Sequence, residues 1–299
     1  LQIKDASGAT VRTLSGTGSL PARFTWNGLA DSGVRCADGS YSATLETVSN
    51  NGGMATTVSQ PFAMDTLAPQ VSVSTPYLLF SPDGDGAKDT VSFSVDSSSE
   101  ERWVARIETD RGSLVQEIVF EGKAQSFQWD GTNDSGNLVE DGSYRLSISS
   151  QDAAGNQGLA TITGLQVDTR QGKVYLTADQ NAISPNGDGF RDQQKFTVRL
   201  TLTEGIDTWR FDIKDGTGAV VRSWTQKDYP NVPATISWDG MGQSGKPAEG
   251  SLTGSITVNY AKGTVLTAST SPFVSSVTPP QLSVRTTPEY FSPDNDGVD

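Results

Sequence analysis

Residues 129–149 read WDGTNDSGNLVEDGSYRLSIS, a tryptophan-led turn followed by a segment in which apolar and polar residues alternate. Gly131 and Gly136 fall where tight turns favour glycine, and the Asn-Asp pair between them is also typical of turns. From Tyr144 to Ile148 the alternation predicts a strand with one buried face. The stretch therefore predicts a turn that leads the chain into a half-buried β-strand.

This turn-and-strand motif and a second, acidic motif recur with one shared period of about 105 residues, the size of one β-sandwich domain. The acidic motif reads SPDGDG in its first copy, and its last copy is one residue shorter. The copies begin at Trp26, Trp129 and Trp238 for the first motif and at Ser81, Ser184 and Ser292 for the second. Because self-similarity at a fixed period marks repeat architectures, we predict a tandem array of one domain type. We expect the repeated tryptophan to fill the core of each domain.

Strand periodicity and frequent turn residues, without helical periodicity, predict an all-β fold of tandem immunoglobulin-like β-sandwich domains in an elongated array. We predict a first repeat, residues 1–66, that lacks its opening strands, complete second and third repeats, residues 67–169 and 170–278, and the opening segment of a further unit, residues 279–299. Because the chain starts and stops inside a repeat, we expect it to be a window from a longer array. The polar run Ser97–Arg102 is expected to be a solvated loop.

The composition excludes several classes of function. The chain has 35 acidic and 22 basic residues and a formal net charge of −13, so we expect no nucleic-acid partner and no attraction to anionic lipid. Histidine is absent, which excludes histidine-based catalysis, and the single cysteine, Cys36, cannot form an internal disulfide. The apolar runs are far shorter than the ~18 residues that a spanning helix needs, so we expect no membrane span. We therefore expect a protein that is not an enzyme.

The turn-and-strand motif also points to a family. The run from Trp129-Asp130-Gly131 through Asn133-Asp134 to Asp141-Gly142-Ser143-Tyr144 resembles the immunoglobulin-like domain of the bacterial flagellar hook-capping protein. The first repeat follows the same pattern, whereas the third has Leu252 in place of the tyrosine. The resemblance implies a building block that occurs in tandem in large secreted or surface proteins. The acidic motif is similar to one at the start of such repeats in bacterial surface proteins.

The acidic motif is the candidate for a chemical site. Asp83, Asp85 and Asp89 lie at positions 1, 3 and 7 of a short glycine-rich loop, and carboxylate oxygens spaced in this way are ligands that Ca²⁺ prefers. The loop resembles the first half of an EF-hand loop but lacks the late bidentate glutamate. We expect calcium rather than Mg²⁺, which demands stricter geometry. By repetition, the further candidate metal ligands are Asn186, Asp188, Asp192, Asp294, Asp296 and Asp299.

A second interpretation of the acidic loops remains open. Aspartate and asparagine oxygens also cap nearby backbone N–H groups, so each loop could be a cluster of turns without a metal. If calcium binds, further oxygens have to come from backbone carbonyls, water or a neighbouring segment. Asp65 and Asp168, which precede the first and second loops in sequence, are candidates, whereas the third repeat has Ser276 at the aligned position.

These observations favour a structural stalk or an adhesive segment of a large bacterial cell-surface or secreted protein. Because each acidic loop follows a proline-containing junction in the sequence, such as Pro69, we expect calcium to stiffen the contact between neighbouring repeats of the chain. The expected location is extracellular or at the cell surface, with the periplasm as the alternative. Extracellular calcium is concentrated enough to fill weak sites.

Three alternatives remain open. The chain could be a carbohydrate- or peptide-binding accessory module of a larger secreted enzyme, which an exposed aromatic strip at Trp103, Trp209 or Trp224 would support. It could belong to a flagellar or other motility apparatus. It could also self-assemble into a filament, if residues 279–299 of one copy complete residues 1–66 of the next by strand addition.

Overall fold

The computed structural model describes residues 1–286, 290 and 293, and these residues form strands, turns and loops without a helix. The all-β fold predicted from the sequence is therefore confirmed. The chain divides into two compact units, Leu1–Thr169 and Arg170–Asp299. The finer division of the first unit at residue 66 stays a prediction. Within the described ranges, no helix is long and apolar enough to cross a membrane.

The first unit begins with a single antiparallel sheet. Its five strands are β1 (Gln2–Asp5), β2 (Thr10–Thr13), β3 (Gly39–Val48), β4 (Met54–Val58) and β5 (Phe62–Met64). Their order is β2-β1-β3-β4, and β5 also pairs with β3. A hairpin turn at Asp5 joins β1 to β2, and an Asp5 carboxylate oxygen accepts the N–H groups of Ser7 and Ala9 there.

The rest of the first unit is a two-layer sandwich. Its strands are β6 (Val71–Ser74), β7 (Leu79–Phe80), β8 (Val91–Ser97), β9 (Ser99–Thr109), β10 (Leu114–Lys123), β11 (Phe127–Trp129), β12 (Gly142–Gln151) and β13 (Gln157–Val167). One sheet has the order β10-β9-β12-β13-β7 and the other β11-β8-β6. The pairing of β7 with β13 is parallel, and the other pairs of this sandwich are antiparallel.

The core of this sandwich lies between its two sheets. Tyr144, Leu146 and Ile148 are buried, as the alternation in β12 predicted. Trp129 is 1% exposed and lies 5.3 Å from the ring of Phe80. Burial of an aromatic side chain of this size stabilises the fold by about 4–6 kcal/mol. The prediction that the repeated tryptophan fills the core is thus confirmed here.

The second unit is a sandwich of the same design. Its strands are β14 (Val174–Ala178), β15 (Ala182–Ile183), β16 (Gln194–Leu200), β17 (Ile206–Asp215), β18 (Val220–Thr225), β19 (Thr235–Trp238), β20 (Gly250–Tyr260), β21 (Val265–Ser269) and β22 (Phe273–Ser275). Its sheets have the orders β14-β16-β19 and β15-β22-β20-β17-β18, and β21 also pairs with β20. Trp238 is 1% exposed and occupies the position of Trp129.

The expectation of a solvated loop at Ser97–Arg102 is wrong. Ser97 ends β8, and the residues from Ser99 onward begin β9. The serines are accommodated at this strand junction because their hydroxyl oxygens accept hydrogen bonds from backbone N–H groups. The Oγ of the buried Ser97 accepts the N–H of Ala124, and the Oγ of Ser98 accepts the N–H of Gln70.

Candidate metal site

The first acidic loop follows β7 and is closed by the backbone. The N–H of Ser81 donates to the carbonyl of Lys88 at 2.9 Å. Gly84 and Gly86 have φ values of 79° and 87°, which glycine adopts without strain. Lys88 has a φ of 54°, an uncommon value for a residue with a side chain. The glycines of the motif therefore allow the chain to fold tightly at this point.

The three predicted carboxylates of this loop lie together. Asp83, Asp85 and Asp89 each offer an oxygen, and these oxygens all lie within 4.8 Å of one another. The two oxygens of Asp89 accept the N–H groups of Gly84 and Gly86, both at 2.8 Å. Asp83 accepts the N–H of Asp85 at 3.2 Å, and Asp85 accepts that of Ala87 at 2.8 Å. The loop is therefore both a cluster of capped turns and a cluster of carboxylates.

The second acidic loop has the same hydrogen bonds. Asp192 accepts the N–H groups of Gly187 and Gly189 at 2.8 and 2.7 Å, and Asn186 accepts the N–H of Asp188 at 3.0 Å. The Nδ2 of Asn186 also donates to Asp188 at 3.0 Å. The N–H of Phe190 and then the Asn186 amide hold the pKa of Asp188 below its ordinary value of 3.8. The predicted ligands of the third loop, Asp294, Asp296 and Asp299, lie outside the described residues.

The carboxylate oxygens of the first loop are suitable ligands for calcium. An ionised carboxylate has about four lone-pair sites, so an oxygen that accepts one N–H bond can still bind a cation. Two carboxylates about 4 Å apart repel each other by about 1–4 kcal/mol in aqueous or surface surroundings. The backbone N–H groups offset part of this repulsion, and a divalent cation would offset the rest. The arrangement can therefore hold a hard cation, with its remaining ligands from carbonyls and water.

Each of the two acidic loops within the described residues lies beside the residue that follows the last strand of its own sandwich. Because β7 runs parallel to β13, the end of β7 meets the end of β13, and the N–H of Asp168 donates to the carbonyl of Phe80 at 3.2 Å. The second loop follows the same rule, since Ser276 donates its N–H to the carbonyl of Ile183 at 3.2 Å. The neighbour of the loop at Ser81 is therefore Asp168, and the neighbour of the loop at Ser184 is Ser276.

This placement corrects the sequence-based pairing of Asp65 with the first loop. The carbonyl of Asp65 accepts the Nδ2 of Asn156, just before β13 begins. Pro69 lies beside Gly158, where an added Cβ would be 2.2 Å from the proline carbonyl oxygen. The acidic loop lies at the other end of β13, about 30 Å away at the rise of an extended strand. Closeness in sequence suggested the wrong neighbour because β6 and the segment after it carry the chain along the sandwich.

The two repeated motifs touch each other, which sequence reasoning missed. Gly131 of the tryptophan turn lies against Pro82 of the acidic loop, and Gly240 lies against Pro185 in the same way. A Cβ on Gly131 would be 2.7 Å from the proline ring, and one on Gly240 would be 2.4 Å from it. Only glycine permits this approach. The shared period of the two motifs indicated that they belong to one repeating unit, and no signal in the sequence indicated the contact itself.

The tryptophans considered for a ligand surface are not exposed. Trp103, Trp209 and Trp224 have exposed fractions of 0%, 2% and 8%. They belong to the cores of their sandwiches, with Trp224 5.6 Å from the ring of Phe211. None of the three can provide a flat aromatic surface for a sugar.

Comparison with known proteins gives one family. The profile of the FlgD Ig-like domain matches residues 1–51, 80–154 and 181–263. No curated protein sequence matches the chain. The tryptophan turn lies within each of the three matched stretches, and the first two acidic loops lie within the second and third.

Several solved structures are similar to the chain. A tetra-tandem repeat from the extending region of a large adhesion protein is 20% identical, covers 92% of this chain and 66% of its own, and has a TM-score of 0.29. Fibronectin(III)-like modules of Clostridium thermocellum CbhA are 15% identical. The match covers 72% of this chain and 100% of theirs, with a TM-score of 0.39. A Ca²⁺-stabilised adhesin that helps an Antarctic bacterium bind ice is 17% identical. The match covers 79% of this chain and 56% of the adhesin chain, with a TM-score of 0.35. The chain thus spans about two thirds of the first of these structures and just over half of the third.

Proposed function

The chain belongs to the family of FlgD Ig-like domains, and from this premise we propose that it is a non-enzymatic stalk or adhesive segment of a large bacterial cell-surface or secreted protein, with calcium held in its acidic loops. The observation that carries the proposal is the repetition of one sandwich together with one acidic loop. Catalytic sites are rarely repeated along a chain, whereas structural units are. The proposed location is outside the cell or at its surface.

The position of the acidic loop defines what calcium would do. The loop lies beside Asp168, the residue that follows the last strand of its sandwich. Calcium bound to Asp83, Asp85 and Asp89 would fix the loop against this end of the sandwich, with the Asp168 carboxylate as a candidate further ligand. A segment that is held at the exit of a domain gives the following linker less freedom. We therefore expect calcium to stiffen the array where the chain leaves each repeat.

The expected affinity is that of an extracellular module. Such sites have dissociation constants on the order of 10⁻⁴–10⁻³ M, because few charged ligands and exposed loops bind calcium weakly. Asp85 is exposed, and Asp83 and Asp89 are half-buried. A ligand that binds the folded state alone stabilises it by about 2.7 kcal/mol at a hundredfold excess over the dissociation constant. The effect is large enough to measure as a shift in unfolding temperature.

The test compares thermal unfolding and small-angle X-ray scattering of the whole chain in calcium and in chelator. Asp85→Asn removes one charge and keeps an oxygen for the N–H of Ala87. Asp152→Asn is the matched control, because Asp152 caps Ala154 and Asn156 in the hairpin between β12 and β13, at the other end of β13 from the carboxylate cluster. We expect calcium to raise the unfolding temperature of the wild type and of the control more than that of Asp85→Asn. Equal unfolding temperatures and scattering curves in calcium and in chelator would contradict the proposal.

A further inference from the structure

The dipeptide Asn186-Gly187 lies in the second acidic loop, at the position that Asp83-Gly84 occupies in the first. The two loops otherwise share their bonding, because Asp192 and Asp89 each accept two glycine N–H groups. Among the candidate ligands the difference is one functional group. The second loop has an amide where the first has a carboxylate, and so it has one negative charge fewer.

An asparagine that precedes a glycine loses its side-chain amide more readily than other asparagines do. The reason is steric, since the glycine nitrogen can reach the side-chain carbonyl carbon without obstruction from a Cβ. Asn186 and Gly187 are both exposed, so water reaches them. A Cβ built on Gly187 would meet no atom within 4 Å, which shows that the space around this residue is open.

We propose that Asn186 is a modification site, at which loss of the side-chain amide converts the second acidic loop into the three-carboxylate form of the first. The nitrogen of Gly187 gives its proton to solvent hydroxide and attacks Cγ of Asn186. The bond from Cγ to Nδ2 breaks, and the nitrogen, which already carries two hydrogens, takes up one proton from water and leaves as ammonia. Water then adds to Cγ of the resulting cyclic imide, and the bond from Cγ to the Gly187 nitrogen breaks as that nitrogen regains a proton. The sum is one water consumed and one ammonia released, without oxidation or reduction.

The consequence for the loop rests on the proposed function. The new carboxylate adds a charged oxygen at a candidate calcium ligand, and a higher ligand charge raises calcium affinity. It also removes the hydrogen bond from Nδ2 of Asn186 to Asp188. Because the hydrolysis does not reverse, the second acidic loop, which lies in the third repeat, would gain calcium affinity with age. The first acidic loop, which lies in the second repeat, has its three carboxylates from the start.

The chain contains internal references for this chemistry. Asn51-Gly52 lies at the exposed tip of the hairpin between β3 and β4, outside any acidic loop. Asn27-Gly28 lies in the tryptophan turn of the first repeat, where a Cβ on Gly28 would be 3.2 Å from Met64. Asn51 therefore reports the rate at an open turn, and Asn27 reports the rate at a more crowded one.

The experiment ages the whole chain in chelator at mildly alkaline pH and follows its peptides by mass spectrometry. We expect the mass of the peptide that contains Asn186 to increase by the difference between a carboxylic acid and an amide, as we expect for the Asn51 peptide. In labelled water, the Asn186 peptide is expected to incorporate heavy oxygen. Asn186→Gln, whose longer side chain forms the cyclic imide slowly, is expected to abolish the change at this position alone. Fragmentation distinguishes aspartate from isoaspartate, which forms when water opens the imide at its other carbonyl.

Calcium titration with Asn186→Asp, the product form, tests the consequence separately. We expect it to bind calcium on the order of tenfold more tightly than the fresh wild type, since one added charge acts directly on the ion. The proposal is overturned if the Asn186 peptide keeps its mass while the Asn51 peptide changes, or if isoaspartate is the only product. It is also overturned if Asn186→Asp binds no more tightly than the wild type although the first loop binds calcium. If neither loop binds calcium while Asn186 still becomes aspartate, the modification stands and the proposed function fails.

Discussion

The contact between Gly131 and Pro82 can be tested by the addition of one methyl group. In Gly131→Ala the new Cβ would lie 2.7 Å from Cγ and 3.3 Å from Cβ of the proline ring, at a backbone φ of +77°. The left-handed conformation costs an alanine about 1–2 kcal/mol, and overpacking adds about 1–3 kcal/mol. We therefore expect the second repeat to lose about 2–5 kcal/mol of unfolding free energy, as the sum of these two effects.

Gly136→Ala in the same turn is the matched control. Its φ is +76°, and an added Cβ would meet nothing within 4 Å, so it carries the conformational cost alone. The effect of alanine on the unfolded chain is common to both variants and cancels in their difference. Hydrogen exchange of the amides in β8 and β11 measures the stability of this repeat specifically. If Gly131→Ala is no more destabilising than Gly136→Ala, the contact between the motifs has no energetic role and the reasoning is refuted.

Two further predictions concern the hydroxyl group of a buried tyrosine and the capped turns. Tyr144→Phe removes the hydroxyl that donates to the Glu140 carbonyl at 2.6 Å, so we expect a loss of about 1 kcal/mol in urea unfolding; an unchanged midpoint would contradict this. Hydrogen bonds hold the pKa of Asp152, Asp188 and Asp215 below 3.8 in the folded chain. The main donors are the side chains of Asn156 and Thr217 for Asp152 and Asp215, and the backbone N–H of Phe190 for Asp188. These hydrogen bonds therefore stabilise the folded state at pH values above the pKa of the unfolded chain. The stabilisation is lost as the pH falls through the lower pKa values of the folded chain. Thermal unfolding measured from neutral to acidic pH should show this decline below about pH 4, and a constant unfolding temperature there would count against it.

The sequence was sufficient for the local structure. Period-two alternation correctly placed Tyr144, Leu146 and Ile148 on a buried face, because a strand alternates its side chains whatever it pairs with. The hairpin turn at Asp5 was equally predictable, since aspartate caps the N–H groups that follow it. The carboxylates Asp83, Asp85 and Asp89 also lie together as expected, because the spacing within one short loop brings them together.

The sequence was insufficient where the structure depends on pairing between distant residues. Asp168 lies beside Phe80 only because β7 pairs in parallel with β13, and no local pattern encodes that choice of partner. The run Ser97–Arg102 was misassigned for a related reason. Its polarity is typical of a loop, but the hydroxyl groups of its serines bond to the backbone of Ala124 and Gln70, which lie 27 and 28 residues away in the sequence.

The two acidic loops differ in one feature that decides whether capped turns alone explain them. In the second loop the amide oxygen of Asn186 accepts the N–H of Asp188 at 3.0 Å, the bond that Asp83 makes to Asp85 in the first loop. An uncharged side chain can therefore accept the hydrogen bond that the turn needs at this position. The turn does not require the negative charge of Asp83. The charge of Asp83 adds repulsion among carboxylates that lie within 4.8 Å of one another, and this repulsion is destabilising by itself. A bound cation turns this repulsion into attraction, which is the physical reason to expect calcium at the first loop and weaker binding at the second.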